Sequence, residues 1–404
     1  EPRNRGDAMA MHSRRPWLTG HRILTLVVVA AMTIVLVLTF DAGPAEGATR
    51  KACRVRNTDS GQRFTRLQAA VAAAKRGDKL AVRGTCAGHT TIGKRLTIVG
   101  QRTKRSGGPQ LTGRHKTRVL TVAKGAKVKL RGLAIQRGDS KRGGAILNHG
   151  DLTLANVTVR RNRCHLAGVA LGKAGGILNR GRLRVNGTSR VQRNWCDSGA
   201  SAVWNAKSGK VVLGGSSVIG FNGGVYGTAV INDGTFVMTG ASAIAHNLAG
   251  ESVGGVFNSG RFVMRDRSTI KGNDCGDPDY CSTGGVENDR GGTFTMRHHS
   301  SIRDSDATGV ETKGTFTMHG ASTISGNTGW CHGGGVYVSG GRFAMSTSST
   351  ITGNRVVDFD GNLICELRGA GLYRKGGRLD GVLCAPGTLA NVYANSPDDC
   401  YLEA

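Results

Sequence analysis

The sequence predicts an all-β chain, a right-handed parallel β-helix forming a three-sided solenoid with an N-terminal amphipathic capping helix. Three observations carry that prediction. Short phrases recur at intervals of roughly one coil, which is the signature of stacked repeats. Glycine is abundant (63 residues) while proline is scarce (7), so tight turns are frequent and a collagen-like or proline-rich chain is excluded. Finally, apolar residues return at regular positions through almost the whole chain, which a disordered polypeptide does not show.

Two phrases define the repeat. The first reads small-small-small-aliphatic-any-Asn, as in Gly143 to Asn148 and Ala174 to Asn179. It recurs ending at Asn205, Asn232, Asn258 and Asn288, and in altered form around Val310, Val336 and Leu372. The second, aliphatic-any-any-Asn, appears as Val159/Asn162, Val191/Asn194, Ile219/Asn222, Ile244/Asn247, Ile270/Asn273, Ile324/Asn327 and Ile351/Asn354. Between them lies a short alternating strand: Phe236/Met238, Phe262/Met264, Phe294/Met296, Phe316/Met318 and Phe343/Met345. One such unit cannot bury its apolar face alone, but stacking on its neighbours does so. Coils then rise by about 4.8 Å, the strand spacing, and like residues form ladders. The Phe/Met columns read as core, with methionine as filler. Asparagine suits the turns because it tolerates left-handed backbone and can bond to its counterpart in the next coil.

Taken in order, residues 1–47 read as a signal peptide or a membrane anchor. Arg14, Arg15 and Arg22 precede the apolar run Ile23 to Phe40, and Ala45, Glu46 and Gly47 offer a cleavage site before Ala48. Eighteen apolar residues would also just span a bilayer. Either reading places the body outside the cytoplasm, secreted or in the cell envelope. Residues 48–142 form the N-terminal cap and first coils. There Phe64, Leu67, Ala70, Val71 and Ala74 follow helical spacing, and such a helix would cover the open edge of the first coil. Residues 143–383 are the repeat coils, and 384–400 a C-terminal cap. The ten cysteines fall into neighbours along the chain, favouring Cys53–Cys86, Cys164–Cys196, Cys275–Cys281, Cys331–Cys365 and Cys384–Cys400. No Cys-x-x-Cys pair supports zinc instead.

The Gly-Gly-Ala-Ile phrase of residues 143–146, with its later aliphatic-any-any-Asn, resembles the repeats of chlamydial polymorphic outer-membrane proteins. Those carry Phe where this chain has Val or Ile. The stretch from Cys53 to Gly100 looks like the start of secreted actinobacterial β-helix proteins of the pectin-lyase-like superfamily. Together the two resemblances cover about residues 50–400. They imply the fold, but a superfamily that includes lyases, hydrolases and adhesins leaves activity open. The barrel that anchors the chlamydial proteins has no counterpart in this sequence.

Charge divides the chain. Residues 48–215 hold 36 Lys/Arg against 5 Asp/Glu, whereas residues 216–404 hold 14 against 18. Arg160, Arg161, Arg180, Arg182 and Arg184 are the expected polyanion-binding residues, since alternating positions on stacked strands align into stripes. Acidic glycans, wall polymers and other polyanions are the partners such a field attracts. Few aromatics interleave the basic run, so specific nucleic-acid recognition is not expected. Membrane contact would come through the N-terminal segment if it is retained.

One outward column offers a candidate site. The residue between aliphatic and Asn in the first phrase is Leu147, Leu178, Trp204, Ile231, Phe257, Glu287, Glu311, Tyr337 and Tyr373 in turn. Trp204, Phe257, Tyr337 and Tyr373 are the expected glycan-stacking residues. Glu287 and Glu311, one coil apart, are the candidate catalytic pair of a hydrolase or lyase, because neighbouring carboxylates tend to retain a proton. The competing reading is a loop-covered column with both Glu in ion pairs. Asp274, Asp277 and Asp279 around the Cys275–Cys281 loop, and Asp358/Asp360, allow calcium, and otherwise no cofactor is implied. Of three Arg-Gly-Asp triplets, that at Arg5 lies in the segment expected to be removed, and those at Arg76 and Arg137 read as turns in a basic, glycine-rich chain. No pectate-lyase carboxylate set, nucleophile elbow or phosphate loop is recognisable. The preferred reading is therefore a non-catalytic adhesin or wall-associated protein, with the polysaccharide-active enzyme as the alternative.

Overall fold

A computed structural model describes residues 52–102, 108–140, 142–164, 174–276, 283–330, 332–358, 367–384 and 391–403. All belong to one unit, Arg50–Ala404, and the segment 1–47 lies outside the described residues. The alternating and glycine-bounded phrases fold as short strands, and coil stacks on coil as a parallel β-solenoid. A representative coil runs through Tyr226–Asn232, Thr235–Met238 and Ala243–Ala245. Its strands pair in parallel with Val256–Asn258, Arg261–Met264 and Thr269–Lys271 of the next coil. Repeating this pairing builds three long sheets of 14, 12 and 12 strands. They are named here for their interior residues: the Phe/Met sheet, the isoleucine sheet, and the phrase sheet that carries the first Asn.

In-register pairing turns the sequence columns into physical ladders. Phe236, Phe262, Phe294 and Phe316 stack face to face with centroids 4.7–4.8 Å apart and planes within 4°. All four are fully buried, as are Met238, Met264, Met296 and Met318 beside them. Two asparagine ladders mark the corners. From Asn148 through Asn179, Asn205, Asn232 and Asn258, each passes an Nδ2–H to the next Oδ1 at 2.7–2.8 Å, the last reaching Asn288, which closes the run on the Thr312 hydroxyl at 3.1 Å. Asn162, Asn194, Asn222 and Asn247 do the same at 2.8–2.9 Å, ending on Asn273, and each accepting Oδ1 also takes a backbone N–H from the preceding coil. Buried amides without partners would be costly, so stacking is what makes Asn affordable inside. The small residues of the first phrase answer to close backbone approach. A Cβ at Gly144, Gly254 or Gly334 would run into the carbonyl of Arg163, Asp274 or Arg355.

The N-terminal end departs from expectation in one respect. Helix α1 spans Leu67–Ala73 and buries Leu67, Ala70 and Val71, but Phe64 belongs to a strand, Arg63–Phe64. Arg54–Asn57 pairs antiparallel with both Lys79–Arg83 and that strand, and the two continue the Phe/Met sheet. The edge of the first coil is thus closed by an antiparallel pair as well as by a helix, which periodicity alone does not reveal. Lys94 Nζ donates to the Ala74 and Ala72 carbonyls at 2.8 and 3.3 Å, placing a cation at the helix C-terminus. Asp78, in the Arg-Gly-Asp triplet at Arg76, accepts from Asn57 Nδ2 (2.6 Å) and the Lys75 N–H (2.8 Å).

Disulfides join Cys53–Cys86, Cys164–Cys196 and Cys384–Cys400. The second links register partners on adjacent coils. Cys275 is also disulfide-bonded, while Cys281, Cys331 and Cys365 lie outside the described residues.

Candidate functional site

The column between aliphatic and Asn forms as expected, because each of its residues is the register partner of the next. Leu147, Leu178, Trp204, Ile231, Phe257, Glu287, Glu311, Tyr337 and Tyr373 follow one another up the phrase sheet, and Tyr401 extends the line. Its exposure is uneven. Trp204 retains 9% of its surface and Tyr373 3%, whereas Phe257 and Tyr337 are half-buried. Leu178 and Trp204 pack with Ala174 and Ala200 into a small apolar cluster separate from the main core, flanked by Leu147 and Ile231. The Trp204 indole donates to Asp233 at 2.7 Å, and Ser259 holds the other oxygen of that carboxylate at 2.9 Å. Of the four expected stacking residues, then, Phe257 and Tyr337 present appreciable surface.

Glu287 and Glu311 sit side by side on adjacent strands, but Lys313 stands over both. Its Nζ lies 3.0 Å from Glu287 and 3.1 Å from Glu311. Glu311 also accepts from the Ser339 hydroxyl at 3.0 Å and from Thr283 at 3.3 Å. Burial pushes the Glu287 carboxyl above its ordinary range; the Lys313 hydrogen bond opposes this and the Glu311 charge adds to it. Burial works against the Lys313 ammonium, yet its bond to Glu287 and the two negative charges hold its proton more firmly than usual. A cation shared between two carboxylates offsets part of the repulsion between them. Sequence reasoning omitted Lys313, which follows Glu311 by two residues in the turn where the first phrase ends in Thr312 instead of Asn.

At the C-terminal end Tyr373 stacks on Tyr401 (5.3 Å, 13°) and meets Tyr337 edge-on (5.4 Å, 61°). Its hydroxyl donates to Glu403 at 2.5 Å, and burial together with that carboxylate raises its pKa. The Arg368 guanidinium lies over the Tyr401 ring, 4.4 Å from its centroid.

The five arginines chosen from sequence divide among different faces. Arg182 and Arg184 are on the Phe/Met sheet, Arg160 is on the isoleucine sheet, and Arg161 and Arg180 occupy turns. On the Phe/Met sheet the register runs Lys127–Asp151–Arg182–Lys210 beside Lys129–Thr153–Arg184. Asp151 interrupts that stripe and pairs with Arg184 at 2.7 Å. Arg160 is half-buried; Gln136 accepts from its Nε at 3.0 Å and in turn donates to Gln110 at 2.6 Å.

Of the calcium candidates, Asp274 is described and Asp277 and Asp279 lie outside the described residues. Burial, with the Asp306 charge as a smaller contributor, raises the Asp274 pKa. Among the described residues no group of three or more His, Cys, Asp or Glu is placed to hold a metal. None of their helices is long and apolar enough to cross a membrane.

No protein-family model, curated protein or solved structure matches the chain.

Proposed function

We propose that this is an exported cell-surface or envelope protein that binds polyanionic or glycan partners along the side of its solenoid without catalysis. The observation that carries the reading is the basic half of the stack, where Lys127, Lys129, Arg182, Arg184 and Lys210 stand on one sheet in fixed register. A rigid, predominantly basic array, with Asp151 its one acidic interruption, attracts a polyanion over a long range and needs little ordering on binding. Disulfides between neighbouring coils fit an oxidising compartment. The parallel solenoid is also what a member of the pectin-lyase-like superfamily, or a relative of the chlamydial repeat proteins, would have.

The second reading, a hydrolase or lyase acting at Glu287 and Glu311, draws on their adjacency and on the raised pKa of Glu287. Lys313 weighs against it, because an acid–nucleophile pair needs one carboxyl free to give up a proton and the other free to attack. A glycan and wall-polymer array at two salt concentrations, with reducing-end release followed in the same wells, tests both. Binding that falls steeply with salt and no release is the expected outcome. Release that disappears in Glu287→Gln would reverse the assignment.

A further inference from the structure

The second phrase contains a position with a conformation of its own. The residue just before the ladder Asn is left-handed in coil after coil: Arg161 and Arg193 at φ 53°, Phe221 at 56° and His246 at 54°, with Arg137 (φ 53°, before Gly138) in line with them. Backbone bonds tie these residues into one line along the stack. Arg137 N–H donates to Arg161 O (3.0 Å), Arg161 to Arg193 (2.9 Å), Arg193 to Phe221 (2.9 Å) and Phe221 to His246 (3.0 Å). Left-handed backbone is costly for these side chains, and in later coils the same position is Gly272, Asp304, Gly326, Gly353 and Ala394. Three consecutive arginines followed by two rings are therefore an expensive choice at a corner where glycine is accepted.

The line projects outward. Arg193 and His246 are exposed, Arg161 is partly so, and Phe221 retains 55% of its surface. Phe221 and His246 stack with centroids 5.4 Å apart and planes 21° from parallel. Arg160, beside Arg161, completes a group of four guanidinium groups. Burial first, and then the charges of Arg161, Arg193 and Arg137, make Arg160 easier to deprotonate. Among the described residues, neither Arg161 nor Arg193 makes an ion pair.

We propose that this edge is the docking line for a linear phosphodiester polymer of sugars or polyols, its phosphates on Arg161 and Arg193 and a sugar on the Phe221–His246 pair. The inference rests on the polyanion reading above and narrows it to one corner and one chemistry. Arg161 and Arg193 rise from adjacent coils whose backbones are about 4.8 Å apart, so two guanidinium forks can close on one tetrahedral phosphate, whose oxygens point to several sides where a carboxylate offers a single plane. A duplex strand offers phosphates about every 3.4 Å along its axis, out of step with the coils. Single-stranded nucleic acid wants a succession of aromatic platforms, and this line has one.

The test is titration of the full chain with a glycerol-phosphate oligomer across a salt series. An uncharged polyglycerol, a uronate oligomer and an oligodeoxythymidylate of matched length run alongside. Arg161→Asn/Arg193→Asn removes both forks, with Asn chosen because it accepts left-handed backbone. Arg182→Gln/Arg184→Gln removes the same charge from the Phe/Met sheet. The edge variant should bind the phosphate oligomer at least about tenfold more weakly, with the salt slope reduced by about two, and Phe221→Ala should weaken it severalfold. The sheet variant, whose charges add to the attracting field, should also weaken binding, but severalfold less than the edge variant does. If the sheet variant carries the loss instead, the edge assignment falls and the polyanion reading stands. If the parent prefers the uronate or the oligonucleotide, the phosphodiester assignment falls. If the parent binds none of the polyanions, both readings fall.

Discussion

The two halves of the solenoid solve the same packing problem with different residues. In the basic half the Phe/Met sheet buries Leu152/Leu154, Leu183/Val185 and Val211/Leu213; in the acidic half the same two interior positions are Phe and Met. The asparagine ladder runs across the change from Asn148 to Asn288. Register and corner amides therefore define the coil, while interior volume and exterior charge vary from half to half. Surface chemistry, and with it function, can differ along the stack without altering the fold.

That comparison can be broken at several points. Phe294→Ala removes a ring from the middle of the stack and should cost about 3–5 kcal/mol, against about 2–5 kcal/mol for Leu183→Ala in the basic half. Denaturant unfolding of the two variants measures the difference, and equal costs would mean that ring stacking adds nothing to burial. Asn232→Ala strips a buried donor and acceptor from the ladder and should cost about 1–3 kcal/mol. A cost near zero would show that the ladder is dispensable to the coil.

Lys313→Met should destabilise by about 1–2 kcal/mol at neutral pH, a figure discounted because the ammonium is 35% exposed. The sign with pH follows from Glu287. Its native pKa is raised, so the folded state binds that proton more tightly than the unfolded state does, and stability falls as pH rises from the ordinary carboxyl range through the raised value. Without Lys313 the shift grows, and the variant should regain stability on acidification relative to the parent. Urea midpoints at two pH values decide this. The smallest effect is expected at Asp266, held down to about 2, first by the Gly240 N–H and then by the Thr239 hydroxyl. A depressed carboxyl stabilises above its ordinary pKa, and that contribution is lost as pH falls toward 2. Asp266→Asn should therefore show a shallower acid decline than the parent, measured by thermal melts over that range.

The ladders were legible from sequence because they are side-chain patterns. Phe/Met alternation, the two Asn phrases and the near-neighbour cysteines each name a residue type at a fixed interval. The antiparallel strands at Arg54–Asn57 and Arg63–Phe64 were not, since they belong to no repeat and Phe64 also fits a helical spacing. Lys313 escaped notice because it acts from a turn on two strands. The corner line from Arg137 to His246 is defined by backbone conformation rather than by side-chain type. Its one trace in the sequence was the glycine at 272, 326 and 353 in the slot before Asn.

The asparagine ladders have a direction as well as a spacing. Each Asn–Asn bond in both runs is donated by the earlier coil's Nδ2–H and accepted by the later coil's Oδ1. Amide dipoles so aligned add head to tail and polarise one another, as peptide units do along a helix. The negative pole of each ladder thus lies in the half carrying 36 Lys/Arg, and the positive pole in the half richer in carboxylates. Two buried wires of oriented amides run antiparallel to the sense of the surface charge, so interior and exterior oppose one another's fields along the axis.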